Sequence, residues 1–213
     1  MRKMKFGILL VFAVIALVSI ASAALPASVT ATVGYPGPAS YFDVAITSGG
    51  NFDLPNANNY LGWCTDSQIN GLGSGNTFVP YDSRGTLPTG INTVDWNRVN
   101  YVINHKNGAS KGAIQQVIWY YDGGRTTWSG APYLESEVTQ LKADADANGG
   151  AYVPTASGEN YVVILWRSTN VQTVVIEVPI PGIPTPEFPT LALPIAMMIG
   201  VVGAVQYVRA RKE

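Results

Sequence analysis

Lys111 to Tyr121 reads KGAIQQVIWYY, and the rest of the chain is understood through it. As a helix it places Ile114, Val117, Ile118 and Tyr121 at i, i+3, i+4 and i+7, one apolar face. With about 100° of turn per residue, Gln115 falls beside that face and Gln116 nearly opposite it. A glutamine at the edge of a buried face is a group that folding can bring against a partner. The partner this reading expects is the chain's only cysteine, Cys64.

Working outward, the period on either side is also helical. Asp95 is an N-cap for a helix carrying Trp96, Val99, Asn100, Val102 and Ile103, and Ser110 caps the quoted helix, which stops at Asp122-Gly123-Gly124. Pro132 opens a third helix, Tyr133 to Asp146, with Leu134, Val138 and Leu141 inward, closed by Asn148-Gly149-Gly150. Beyond these helices the pattern is β. Ala27 to Gly34, Ser40 to Thr47, Tyr60 to Asp66 and Thr77 to Tyr81 precede them, with Asn51 to Asn59 and the glycine-rich Asn70 to Asn76 as loops. Tyr161 to Trp166 and Val171 to Val178 follow, as a hairpin around Ser168-Thr169-Asn170. Strands, a helical middle, then strands imply a mixed, mainly β fold: a β-sandwich or barrel with an inserted helical subdomain.

The ends belong to other devices. Arg2, Lys3 and Lys5, an apolar run from Ile8 to Ile20 and Ala21-Ser22-Ala23 make residues 1–23 a secretory signal, so the ectodomain spans 24–178. Pro179, Pro181, Pro184, Pro186 and Pro189 make 179–190 a stiff, extended linker. Leu191 to Val208 carries no charge over about 27 Å of helix, enough for a transmembrane span, and 209–213 is a basic cytoplasmic tail.

Charged residues make up 13% of the 213, against about 25% in a typical soluble domain. Of thirteen Lys/Arg, three lie in the signal and three in the tail, leaving seven against thirteen Asp/Glu once Glu213 is removed. The exposed part is acidic and lacks the basic field a nucleic-acid partner requires.

A lone cysteine outside the cytoplasm forms no internal disulfide. From its residue type alone Cys64 is a buried hydrophobe, a link to another chain, or a nucleophile with His105 as base. Asp144-x-Asp146-x-Asn148-Gly149 imitates the start of a calcium loop, but Thr155 stands where the bidentate glutamate belongs, so it reads as a solvated helix end. Glu135 and Glu137, two apart on a helix, do not form a hydrolytic pair. There is no phosphate-cradling loop, CxxC pair or HExxH, and no cofactor or metal is expected.

Two resemblances add to this. Pro186-Glu187-Phe188-Pro189 followed by an apolar span and a basic tail resembles the PEF-CTERM sorting signal of archaeal surface proteins. That likeness implies processing by an archaeosortase-type enzyme and a membrane tether by the span or a lipid. Trp63-Cys64-Thr65-Asp66, with Gln115-Gln116-Val117-Ile118-Trp119 far downstream, resembles the thioester domain of Gram-positive surface adhesins. Val117 replaces that family's usual alanine and Ile114 a frequent threonine, while Ile118 and Trp119 match. The resemblance implies an internal thioester between Cys64 and Gln115. Tyr60, Trp63, Asp66, Ile118 and Trp119 form its supporting pocket, and the partner is a surface protein or glycan. Its alternative is a non-covalent structural or binding module of the cell envelope. Such a bond requires near-attack geometry, because a thiolate attacks an ordinary carboxamide poorly.

Overall fold

The computed structural model describes residues 24–34, 39–65, 77–123, 125, 132–168 and 170–181, with isolated positions near the C-terminus. Among them are six strands and three helices: β1 (Val29–Gly34), β2 (Phe42–Ser48), β3 (Ala57–Cys64), β4 (Thr77–Asp82), α1 (Trp96–Asn104), α2 (Lys111–Gly123), α3 (Glu135–Asn148), β5 (Asn160–Trp166) and β6 (Val174–Pro179). The strands close into an antiparallel barrel in the order β1-β2-β3-β6-β5-β4. The closing seam is short, Val29 opposite Phe78 and Thr30 opposite Thr77.

Alternation along the strands builds two cores from one sheet. Val29, Phe42, Val44, Ile46, Phe78, Val163, Leu165, Val174 and Ile176 fill the barrel interior together with Cys64. The opposite faces of β3, β5 and β6 present Trp63, Val162, Ile164 and Val175 to the helices, whose Val99, Val102, Val117, Ile118, Val138 and Leu141 complete the second core. Being covered on both sides explains why β5, NYVVILW, is an almost unbroken apolar run.

The caps follow the sequence. The Asp95 side chain accepts from the Arg98 backbone N–H at the start of α1, and Ser110 Oγ accepts from Ala113 N at the start of α2. The Ser110 hydroxyl also donates to Glu137 Oε2 at 2.5 Å, tying α2 to α3. Four expectations are sharpened or corrected. Leu134, expected inward, is 61% exposed at the N-cap of α3. The sandwich-or-barrel choice resolves as a closed barrel. β3 begins at Ala57, because its main chain already pairs there with Ile46 of β2 although Asn58 and Asn59 are exposed. Gln116, nearly opposite the apolar face on the helical wheel, is also fully buried. Helix α2 packs against α1, α3 and β3, so every position from Gly112 to Trp119 is enclosed.

No helix among the described residues is long and apolar enough to cross a membrane. The signal segment, residues 182–190 with Pro186, Glu187 and Phe188, and the 191–208 span lie outside the described residues apart from isolated positions.

Candidate functional site

Cys64 is the last residue of β3 and is fully buried. Its main chain is pinned from two sides. On one, Gln115 of α2 behaves like a neighbouring strand: its Oε1 accepts from Cys64 N at 3.0 Å, and its Nε2 donates to Cys64 O at 2.6 Å. On the other, Thr65 N donates to Thr173 O at 3.2 Å. A fully buried carboxamide is stable only when its polar ends are satisfied, and Gln115 satisfies both on the cysteine backbone.

The side chain on the sulfur is a different glutamine. Gln172 Nε2 lies 2.7 Å from Cys64 Sγ, a separation ordinary for nitrogen and oxygen, although sulfur is the larger atom. The register explains how it arrives. Cys64 pairs with Val174 across β3 and β6, so Gln172, two residues earlier, is the diagonal neighbour on the same face, within reach of a long side chain. In the sequence Gln172 reads only as one residue of the strand Val171 to Val178. The available signal was a lone polar residue on the inward-facing parity of an otherwise apolar strand.

The chain is similar to thioester domains of bacterial surface adhesins. It matches the N-terminal domain of the Streptococcus pyogenes pilus tip adhesin Cpa at 13% identity and TM-score 0.40, over 76% of this chain and 98% of that one. The N-terminal thioester domain of the fibronectin-binding protein SfbI from Streptococcus pyogenes matches at 13% identity and TM-score 0.40, covering 73% and 95%. That of a Clostridium perfringens surface protein matches at 10% identity and TM-score 0.37, covering 70% and 97%. No protein-family model and no curated protein matches the sequence.

The expected pocket residues divide. Trp119, four positions after Gln115 on α2, shares the barrel-interior cluster with Cys64. The Tyr41 ring meets it edge-on at 5.6 Å, and the Arg125 guanidinium lies 4.5 Å from its ring centroid. Its Nε1 is buried and, among the described residues, bonds no acceptor. Trp63 and Ile118 belong instead to the helix-side core. Adjacent strand residues point to opposite faces, so Trp63 cannot line the pocket that Cys64 faces. Tyr60 faces the barrel interior but lies four residues, about 13 Å, along β3, where its hydroxyl donates to Pro55 O. Asp66 lies outside the described residues.

On the far side of β3, Trp63 Nε1 donates to Glu177 Oε1 at 2.8 Å, and Lys106 Nζ contacts both Glu177 oxygens at 2.6 and 2.8 Å. The Glu177 side chain is only 4% exposed. This is a charge clamp joining β6 to the end of α1. The other candidates are committed elsewhere. His105 stacks on Tyr101 with ring centroids 4.0 Å apart and meets Tyr152 edge-on, its Nδ1 lying 2.9 Å from Tyr101 O; none of these groups is shared with Cys64. Asp144 contacts Tyr101, Asn107 and Asn148, whereas Asp146 contacts Tyr121, Lys142 and Arg98. Both lie within α3 rather than in a loop.

Proposed function

We propose that this protein is a covalent adhesin module carrying an internal thioester between Cys64 Sγ and Gln172 Cδ. The observation that carries the reading is the 2.7 Å approach of the Gln172 carboxamide to the buried sulfur. The sequence resemblance suggested a Cys–Gln thioester with Gln115 as acyl donor. Because both ends of Gln115 are engaged by the cysteine backbone, it becomes the residue that positions Cys64.

In the forming step the Cys64 thiolate attacks Cδ of Gln172. The tetrahedral centre collapses with loss of Nε2, which takes up protons and leaves as ammonia. Holding both groups in one enclosed site supplies the effective concentration the reaction needs. Among the described residues the indole N–H of Trp119 is a buried donor without an acceptor, one turn along α2 from Gln115, and we assign it to the developing oxyanion. A partner amine or hydroxyl then attacks the same carbon. The C–S bond breaks, Gln172 becomes amide- or ester-linked to the partner, and Cys64 recovers its thiol. The thiolate is the better leaving group, so the thioester reacts where the original amide does not. Each molecule reacts once, so the protein captures and does not turn over. The secretory signal, proline-rich linker and sorting motif read in the sequence suit display outside the cell, tethered to its own membrane and facing another surface.

Intact mass tests this. The purified chain is expected about 17 Da below its sequence mass through loss of ammonia, and Cys64→Ala and Gln172→Ala each restore the full mass. If Gln172→Ala retains the deficit, the donor is Gln115. If the wild-type chain has no deficit, the domain acts as a non-covalent envelope module.

A further inference from the structure

The seam between β3 and β6 is paired only at Gly62–Ile176, Trp63–Val175 and Cys64–Val174. Continued, that register would match Leu61 with Glu177, Tyr60 with Val178 and Asn59 with Pro179, and none of these pairs forms. Pro179 has no N–H to offer a ladder, and beyond it Ile180 N donates to Glu159 O, holding the chain on the β5 side. The six residues left facing one another all line a groove of about 510 Å³, a size usual for ligand sites. The barrel wall therefore splits at the end opposite the sulfur, exposing stretches of two strand edges over a mainly apolar floor.

The groove's rim carries a charge. Phe52 is 82% exposed, and Asp53 lines the groove beside it. Asp53 Oδ2 is buried and, among the described residues, accepts no hydrogen bond. A carboxylate oxygen removed from water without a donor is costly. Glu177, at the inner end, is already matched by Lys106 and Trp63, so the carboxylate on offer is that of Asp53. An aromatic ring next to a carboxylate, with Tyr60 below, suits a cationic side chain, which gains from both the charge and the ring face.

We propose that this groove is a second, non-covalent binding site that takes an extended segment of a partner polypeptide. The segment adds as a strand to the free edge of β3 and places a lysine or arginine side chain against Asp53 and Phe52. Strand addition supplies affinity through the main chain, and the acidic aromatic pocket supplies selectivity. The site stands whether or not the thioester forms.

The test uses the Cys64→Ala chain, in which covalent capture is impossible, titrated with acetyl-Val-Thr-Lys-Thr-Val-amide and followed by backbone amide shifts. Saturable shifts confined to the groove, at Phe52–Asp53, Ala57–Leu61 and Glu177–Val178, are expected. Replacing the peptide lysine by norleucine, or Asp53→Asn in the protein, is expected to weaken binding by about tenfold, the scale of one charge-assisted contact. Absence of saturable shifts at those strands, or equal affinity for the norleucine peptide, overturns the proposal. Should Asp53→Asn fail to fold, the two peptides on the Cys64→Ala chain decide the question.

Discussion

At the residue scale two glutamines meet Cys64 in different ways, one on its main chain and one on its sulfur. Gln115 forms two buried hydrogen bonds to the Cys64 main chain. Gln115→Ala is expected to destabilise the fold by roughly 2–3 kcal/mol, since it strands a backbone donor and acceptor inside the protein. Thioester formation, followed by mass against time after refolding, should slow in that variant without being abolished. Full abolition with intact folding would return Gln115 to the role of acyl donor. Trp119→Phe keeps the ring and removes the N–H. Slower thioester formation with little change in unfolding midpoint is expected; an unchanged rate excludes the indole as oxyanion donor. The sequence singles out Cys64 as the lone cysteine, and the structure buries it between the side chains of Gln115 and Gln172. Which glutamine meets it was illegible, because the helical wheel shows which side of α2 Gln115 is on but not whether its amide ends on sulfur or on backbone.

At the element scale α2 is the hub, and one glycine permits its position. A Cβ built on Gly112 would lie 1.8 Å from Pro132 O and 2.7 Å from its carbonyl carbon, so the segment entering α3 crosses directly over the start of α2. Gly112→Ala is expected to cost about 1–3 kcal/mol through overpacking, measured by denaturant unfolding; a neutral result contradicts that close crossing. The turn before β5 is held by a carboxylate. Backbone N–H groups of Ala156 and Thr155 and the Tyr152 hydroxyl donate to Glu159 and keep its pKa below the ordinary glutamate range. A depressed folded-state pKa contributes stability that is present above the unfolded value and lost as pH falls through the folded one. Protection factors in the 152–159 turn, which correct exchange for its intrinsic pH dependence, should therefore fall under acid conditions in the wild type. Glu159→Gln is expected to flatten that dependence; a wild-type profile with no acid limb contradicts it.

At the scale of the whole molecule, a Cys64–Gln172 bond ties the end of β3 to the entry of β6 and encloses the entire helical insertion. Cross-linking a loop of about 100 residues stabilises a fold by a few kcal/mol, chiefly by restricting the unfolded chain. The thioester form is therefore expected to unfold at higher temperature than the same protein opened by methylamine. Equal midpoints, with the mass change verified in each sample, contradict that linkage.

The sequence by itself determined the order of strands and helices, the caps at Asp95 and Ser110, the importance of the stretch around α2, and the uniqueness of Cys64. These are local properties: periodicity, backbone preference and residue count do not require knowledge of what lies across the fold. The tertiary structure alone decided that the sheet closes into a barrel, that Trp63 turns away from the sulfur, that Gln116 is buried, and that Gln172 rather than Gln115 touches Sγ. Each depends on register and on which elements pack together. A shift of one residue in a strand sends a side chain to the opposite face, and no single stretch of sequence carries that information.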